Sequence, residues 1–307
     1  MLSTRETKLK IRSINSTKQI TKAMEMVSAS KMRKSQAVAL NSRPYCQIAL
    51  EILGKLSEHT DYNLHPLLNR RRVGKIALLV ITSDKGLCGG LNSNVLRKAQ
   101  KFLEGKKADI IAVGKKGRDF FLWRKFNIAA EFIGLGDSVK IEEVSSIAGS
   151  LIKWYQEQKY DLIMAVYTNF LSTLKQETVI QQVLPISIES IKEIVDRILP
   201  ERGKYADLRQ EQKEKKAYPY HYEYLYEPSP ESVLNSLLPA LIHIQVYHMI
   251  LEANASEHSS RMVAMRNATE SAQKLIEELT LYFNKVRQSA ITKEISEITA
   301  GAEALQQ

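Results

Sequence analysis

The chain has 307 residues, 44% hydrophobic and 25% charged, with Lys+Arg 44 against Asp+Glu 34 for a formal net charge of +10. That composition excludes a disordered polyelectrolyte, leaves room for one full-sized core, and points to an acidic partner such as nucleic acid, an anionic membrane or an acidic protein surface. Cys46 and Cys88 are far apart and in no C-x-x-C pattern, so neither a disulfide framework nor a zinc site is suggested and a reducing compartment is the default.

A helix is predicted from the start of the chain, because Ser3 and Glu6 form a capping box in which each side chain satisfies an orphan amide. Leu9, Ser13, Ser16, Ile20, Ala23, Val27 and Ser30 follow three-four spacing, a seam of small and apolar residues that would let a second helix approach closely. Pro44 should kink this helix or end its straight part. Residues 59–72 are a polar connector into a different pattern.

From residue 73 the chain reads as strand, glycine turn, helix, then repeated strand and helix, ending with the strand-like runs YDLIMAVYTNF and QETVIQQVLPIS. That alternation predicts a doubly wound, Rossmann-like α/β domain inserted between long helices. Residues 189–222 break the pattern with a charge-dense stretch. Ser229-Pro230-Glu231 then supplies N-terminal helix chemistry, with proline tolerated in the first turn.

The last stretch is the longest. Met265, Ala268, Ala272, Leu275, Leu279, Tyr282 and Val286 form a coiled-coil seam, and Ile291, Ile295, Ile298, Ala302 and Leu305 continue it after a step of five. Upstream, Leu234, Leu238, Leu241, Val246, Met249 and Ala253 carry helical spacing back toward Ser232, with Pro239 the break candidate. A run of about 70 residues at roughly 1.5 Å each exceeds ~100 Å, whereas a compact chain of this length has a radius of gyration of roughly 20 Å. Such a helix must protrude, and the N-terminal helix is its natural mate.

Chemistry-bearing patterns are sparse. Gly86, Gly89 and Gly90 after the first strand invite a phosphate-site reading, but neither G-x-x-x-x-G-K-[ST] nor G-x-G-x-x-G is present. A structural turn is the better reading, with Asp84, Lys85 and Asn92 capping and satisfying it. His243, His248 and His258 do not stack at i and i+4, so shared metal coordination is not implied. No catalytic set, metal site or cofactor site can be assigned, and the basic N-terminal helix lacks the aromatic interleaving of a nucleic-acid reader. A nucleotide-dependent α/β enzyme with helical arms and a basic nucleic-acid adaptor remain as alternatives.

The wording of ITKAMEMVSASKMRKSQ (20–36), SRPY (42–45), ITSDKGLCGGLN (81–92), RMVAMRNATESA (261–272) and NKVRQSAITKEISEITAGAEAL (284–305) resembles the gamma-subunit family of F-type ATP synthases, over nearly the whole chain. A mitochondrial presequence, which the basic and serine-rich N-terminus would otherwise suggest, is disfavoured because this likeness begins inside that segment. The resemblance implies a non-catalytic rotor shaft without cofactors: an antiparallel coiled coil of residues 1–58 and 229–307, an α/β domain over 73–190, and a charged insertion and foot segment over 191–228. It implies that Lys22, Met24, Glu25, Arg287, Gln288 and Thr292 contact beta subunits, and that Tyr224, Tyr226 and Glu227 form the foot at the c-ring and epsilon. Partners are then the alpha, beta and epsilon subunits and the c-ring, without nucleic acid. The longest apolar runs, such as Ile76 to Ile81, are too short to span a bilayer, and the implied location is peripheral, on the cytoplasmic face of a bacterial inner membrane rather than the mitochondrial matrix face or thylakoid. In photosynthetic members an insertion near 189–222 can hold a regulatory cysteine pair; this one has no cysteine.

Overall fold

The computed structural model describes residues 4–41, 48, 65–69, 71–136, 139, 141–186, 227 and 229–304. Helix α1 (Thr4–Asn41) is followed by β1 (Ile76–Ile81), α2 (Leu91–Leu103), β2 (Ala108–Val113), α3 (Lys115–Trp123), β3 (Ile128–Phe132), α4 (Ile141–Gln156), β4 (Leu162–Phe170), β5 (Gln176–Leu184) and α5 (Pro230–Ala304). They divide into two compact units, one spanning Ala29–Arg261 and the other pairing α1 up to Ser28 with α5 from Met262 onward.

In the larger unit the sheet order is β3-β2-β1-β4-β5. The first four strands are parallel, and β5 runs antiparallel along the β4 edge. The central strands read as near-continuous apolar runs because both faces are covered. One face, with Leu79, Ile81, Ile111 and Ala165, packs against α4 and the first half of α5; the other, with Leu78, Val80, Ile110 and Val166, packs against α2 and α3. This is the doubly wound arrangement that the alternation predicts.

Helix α5 begins as its sequence dictates. The Ser232 amide donates to Ser229 Oγ at 3.2 Å, the Val233 amide donates to the Ser229 carbonyl at 3.1 Å, and Pro230 occupies the first turn. The helix then runs through Pro239 without a break. The lost backbone bond is tolerated because Leu234, Leu238, Leu241 and Ile242 on either side are buried in the sheet's core, whose burial offsets a penalty of about 3 kcal/mol. Pro44 lies outside the described residues, and α1 is described to Asn41.

The glycine turn after β1 ties this unit to α5. Arg261 donates through Nε to the Gly86 carbonyl at 3.3 Å and through a terminal nitrogen to the same oxygen at 3.1 Å, and Ser260 Oγ donates to the Cys88 carbonyl at 2.7 Å. Within the turn the Ser83 amide donates to Asn92 Oδ1 at 3.1 Å, and the Asn92 amide donates to Ser83 Oγ at 2.7 Å. Asp84 accepts the amides of Lys115 at 2.9 Å and Gly134 at 2.9 Å, so it caps α3. Gly114, at φ +91, must remain glycine because a Cβ there would lie 2.1 Å from the Thr82 carbonyl oxygen.

Candidate functional site

The smaller unit consists of two helices and the surface they leave open. Three side-chain pairs fix its direction and register. Lys18 Nζ donates to Gln273 Oε1 at 2.5 Å, the hydroxyls of Thr21 and Thr269 are 2.8 Å apart, and Arg266 Nε donates to Glu25 Oε1 at 3.0 Å. Each advance along α1 is matched by a retreat along α5, so the helices are antiparallel. Continued to its end, this register sets Thr4, where α1 begins, level with Val286 and Arg287.

The face that α1 turns inward differs from the one its small and apolar residues suggest. The less exposed positions are Thr7, Ile11, Ile14, Lys18, Thr21, Glu25 and Ser28, a regular three-four series. The predicted seam lies two positions away and faces outward, with Leu9 59%, Ile20 60% and Val27 52% exposed. On α5 the predicted seam largely holds. Met265, Ala268, Ala272, Leu279, Tyr282 and Val286 are buried or partly covered, with Thr269, Ile276 and Phe283 between them, and only Leu275 departs, at 47% exposed. The physical reason is that hydrogen-bonded polar pairs hold the helices together. Hydrophobicity alone therefore selects the wrong one of the two interleaved heptads in α1.

Glu25 is the centre of this polar seam. Its side chain is buried, Oε2 accepts Lys22 Nζ at 3.0 Å and Oε1 accepts Arg266 Nε. The hydrogen bond from Lys22, reinforced by Arg266 against the opposing cost of burial, holds the carboxyl below the ordinary glutamate range. Met24, one residue earlier, is half-buried, and Lys22 is largely exposed.

Beyond Val286 the character of α5 changes. Residues 287–301 are exposed without exception, including Ile291 at 44%, Ile295 at 58% and Ile298 at 67%. The step of five after Val286 falls level with Thr4, where α1 begins, so among the described residues the paired section gives way to a single helix there. Arg287, Gln288 and Thr292 all lie on this bare segment, and Thr292 Oγ1 donates to the Gln288 carbonyl at 2.9 Å. They are not near Glu25, whose partner Arg266 is about 30 Å back along the same helix. Glu227 is exposed just before α5; Tyr224, Tyr226 and the 189–222 stretch lie outside the described residues.

Sequence reading did not assign Lys18, Thr21, Arg266, Thr269 or Gln273. The available signal was a second three-four series on α1 whose polar members face polar members of α5 in one antiparallel register.

The chain's likenesses agree with this arrangement. A family model described as ATP synthase matches residues 3–305. The ATP synthase gamma chain of Chloroflexus aurantiacus is 44% identical, with 99% of each chain covered. That of Pelotomaculum thermopropionicum is 42% identical over 100% of both. Among solved structures, a chain of the central stalk and c-ring of the Tetrahymena thermophila mitochondrial ATP synthase is 25% identical, with TM-score 0.57 over 81% of this chain and 99% of that one. A chain of the Euglena gracilis mitochondrial ATP synthase shares the fold at TM-score 0.64 and 20% identity, covering 98% and 94%. With full-length relatives above two-fifths identity and the α/β unit and paired terminal helices in place, the chain belongs to the ATP synthase gamma-chain family.

Proposed function

We propose that this chain is the central rotor shaft of an F-type ATP synthase, coupling ion-driven rotation of a c-ring to nucleotide-state changes in an alpha3-beta3 hexamer. The observation that carries the proposal is the bare run 287–301 of α5. Fifteen consecutive exposed positions with isoleucines at 291, 295 and 298 need a surrounding partner. A ring of subunits supplies one. Arg287, Gln288 and Thr292 meet loops of beta subunits there. Lys22, Met24 and Glu25 lie lower, where Lys22 and the half-buried Met24 reach a beta subunit while Glu25 holds the shaft together. The outward heptad of Leu9, Ile20 and Val27 lines the same bearing, and Tyr224, Tyr226 and Glu227 form the foot on the c-ring, beside epsilon.

A shaft shifts the nucleotide state of a beta subunit only through contacts that differ between states. Two helices lack threefold symmetry, so each of three beta subunits meets a different face. Taking an equilibrium from 1:99 to 99:1 requires about 5.5 kcal/mol, whereas an exposed ion pair gives roughly 0 to 1 kcal/mol. The coupling is therefore distributed along the shaft. The complex is peripheral to a bacterial inner membrane, on its cytoplasmic face. The test is co-purification of the tagged chain with alpha and beta subunits. Recovery of both is the expected result, and a chain that instead binds ATP or NAD alone by calorimetry would favour an α/β enzyme.

A further inference from the structure

Every parallel strand of the larger unit is preceded by lysine. Lys75 stands before β1, Lys106 and Lys107 before β2, Lys125 before β3 and Lys159 before β4. All five are exposed, and they line one open groove of about 720 Å³ at the strand starts. The strands lie in the order β3-β2-β1-β4. With neighbouring strands about 4.8 Å apart, the lysines form a row about 14 Å long.

The acids nearby are already engaged. Asp109, the one acid of the groove lining, accepts Tyr160 Oη at 2.8 Å and the Asn127 side-chain amide at 2.8 Å. Asp161 accepts the backbone amides of Gly74 at 3.0 Å and Lys75 at 2.8 Å. Among the described residues none of the five lysines forms an ion pair. Folding accounts for part of the charge. Lys106, Lys125 and Lys159 follow the C-termini of α2, α3 and α4, each of which carries roughly half a negative charge. Lys106 also lies 4.0 Å from the Phe102 ring and Lys159 4.9 Å from that of Trp154. Lys75 and Lys107 have no such duty. Five full charges against three half charges leave the groove positive, and a cleft lined by one sign of charge concentrates counter-ions.

We infer that this row binds a linear inorganic polyphosphate, laid across the starts of the strands. Lysine is a phosphate binder that acts as a point charge, and a row of point charges is matched by an anion that is itself a row. A phosphate chain carries charge on every unit and bends freely, so it can follow the strand spacing. An acidic peptide fits less well, because in an extended chain only alternate side chains share a face, about 6.6 Å apart against about 4.8 Å for the lysines. A nucleic-acid strand needs aromatic platforms for its bases. Of the aromatics in the lining, Tyr160 is buried with its hydroxyl given to Asp109, which leaves Phe126. The inference draws on the α/β unit alone and is independent of the shaft reading.

The test is calorimetric binding of polyphosphate to the full-length chain, beside orthophosphate, and beside poly-glutamate and a single-stranded oligonucleotide of matched charge. Polyphosphate long enough to span the row should bind at least about tenfold more tightly than each of the other three, with an affinity that falls steeply as salt is raised. The combined Lys75→Gln, Lys107→Gln and Lys125→Gln variant should lose about tenfold in affinity. Equal neutralisation of the exposed Lys85, Lys115 and Lys116, at the opposite end of the strands, should leave it within about twofold. Absent binding overturns the inference, as does orthophosphate, peptide or oligonucleotide binding as tightly as polyphosphate, or equal loss in both variants. Should the first variant fail to fold, acetylation of lysines in the unaltered chain makes the same test. Polyphosphate should protect Lys75, Lys107 and Lys125, and protection confined to lysines of α1 overturns the inference.

Discussion

Glu25 and Arg266 are joined across the two helices at 3.0 Å, with Lys22 on the second carboxylate oxygen. One acid on α1 thus holds a cation from each helix and fixes their register. Glu25→Ala leaves both cations without that partner and should cost about 1–3 kcal/mol. Because Arg266 is half exposed, a double-mutant cycle with Arg266→Ala should return a coupling of only about 1 kcal/mol. Urea unfolding of the four chains measures it, and a coupling of zero would remove Glu25 from the seam.

Acid should loosen this pairing. The folded carboxyl titrates below the ordinary glutamate range, so its contribution is present above the unfolded-state value and is lost as pH falls through the folded one. The stability difference between the parent chain and Glu25→Gln should therefore shrink steadily as pH drops through the carboxylate range.

His248 acts in the same direction at higher pH. It is fully buried, and burial pushes its imidazole down to about 4. The unfolded chain then binds more protons between about 4 and 6.5, and stability falls as pH is lowered across that window, by up to about 3 kcal/mol. Unfolding at pH 5 and pH 7.5 should show a smaller difference for His248→Gln than for the parent.

The turn after β1 should be sensitive at two points. Arg261→Ala removes the hydrogen bonds to the Gly86 carbonyl and the ion pair to Glu257 at 2.6 Å, and should cost about 2–4 kcal/mol. Gly114→Ala forces a Cβ against the Thr82 carbonyl at positive φ and should cost at least about 2 kcal/mol. Melting temperatures of the two variants measure both effects.

Arg287 should behave in the opposite way. It is exposed and lies beyond the end of α1, so Arg287→Ala should change the stability of the isolated chain by less than about 0.5 kcal/mol. In the assembled complex it should weaken coupling without abolishing assembly. ATP synthesis at the parent rate would count against its assigned contact.

The α/β unit was legible because parallel strands buried on both faces leave unbroken apolar runs such as IALLVI (76–81). The turn at Gly86 to Gly90 was legible by what it lacked, and in the structure its carbonyls at Gly86 and Cys88 accept Arg261 and Ser260, with Gly89 at positive φ. The seam of α1 was not legible. Leu9, Ile20 and Val27 outrank Thr7, Lys18 and Glu25 on any hydrophobic scale, and only the antiparallel match of Lys18, Thr21 and Glu25 with Gln273, Thr269 and Arg266 reverses that order. Pairwise complementarity between distant segments is invisible to periodicity within one of them. The step of five at Val286 was legible, but the spacing beyond it continues a seam through Ile291, Ile295 and Ile298, which the structure leaves exposed.

The central claim, that this chain turns within a hexamer, is tested most directly by attaching an optical probe to it in a surface-fixed assembly with alpha and beta subunits and supplying ATP. The account predicts rotation in one direction with three equivalent pauses per turn. Sustained ATP hydrolysis with the probe stationary would contradict it.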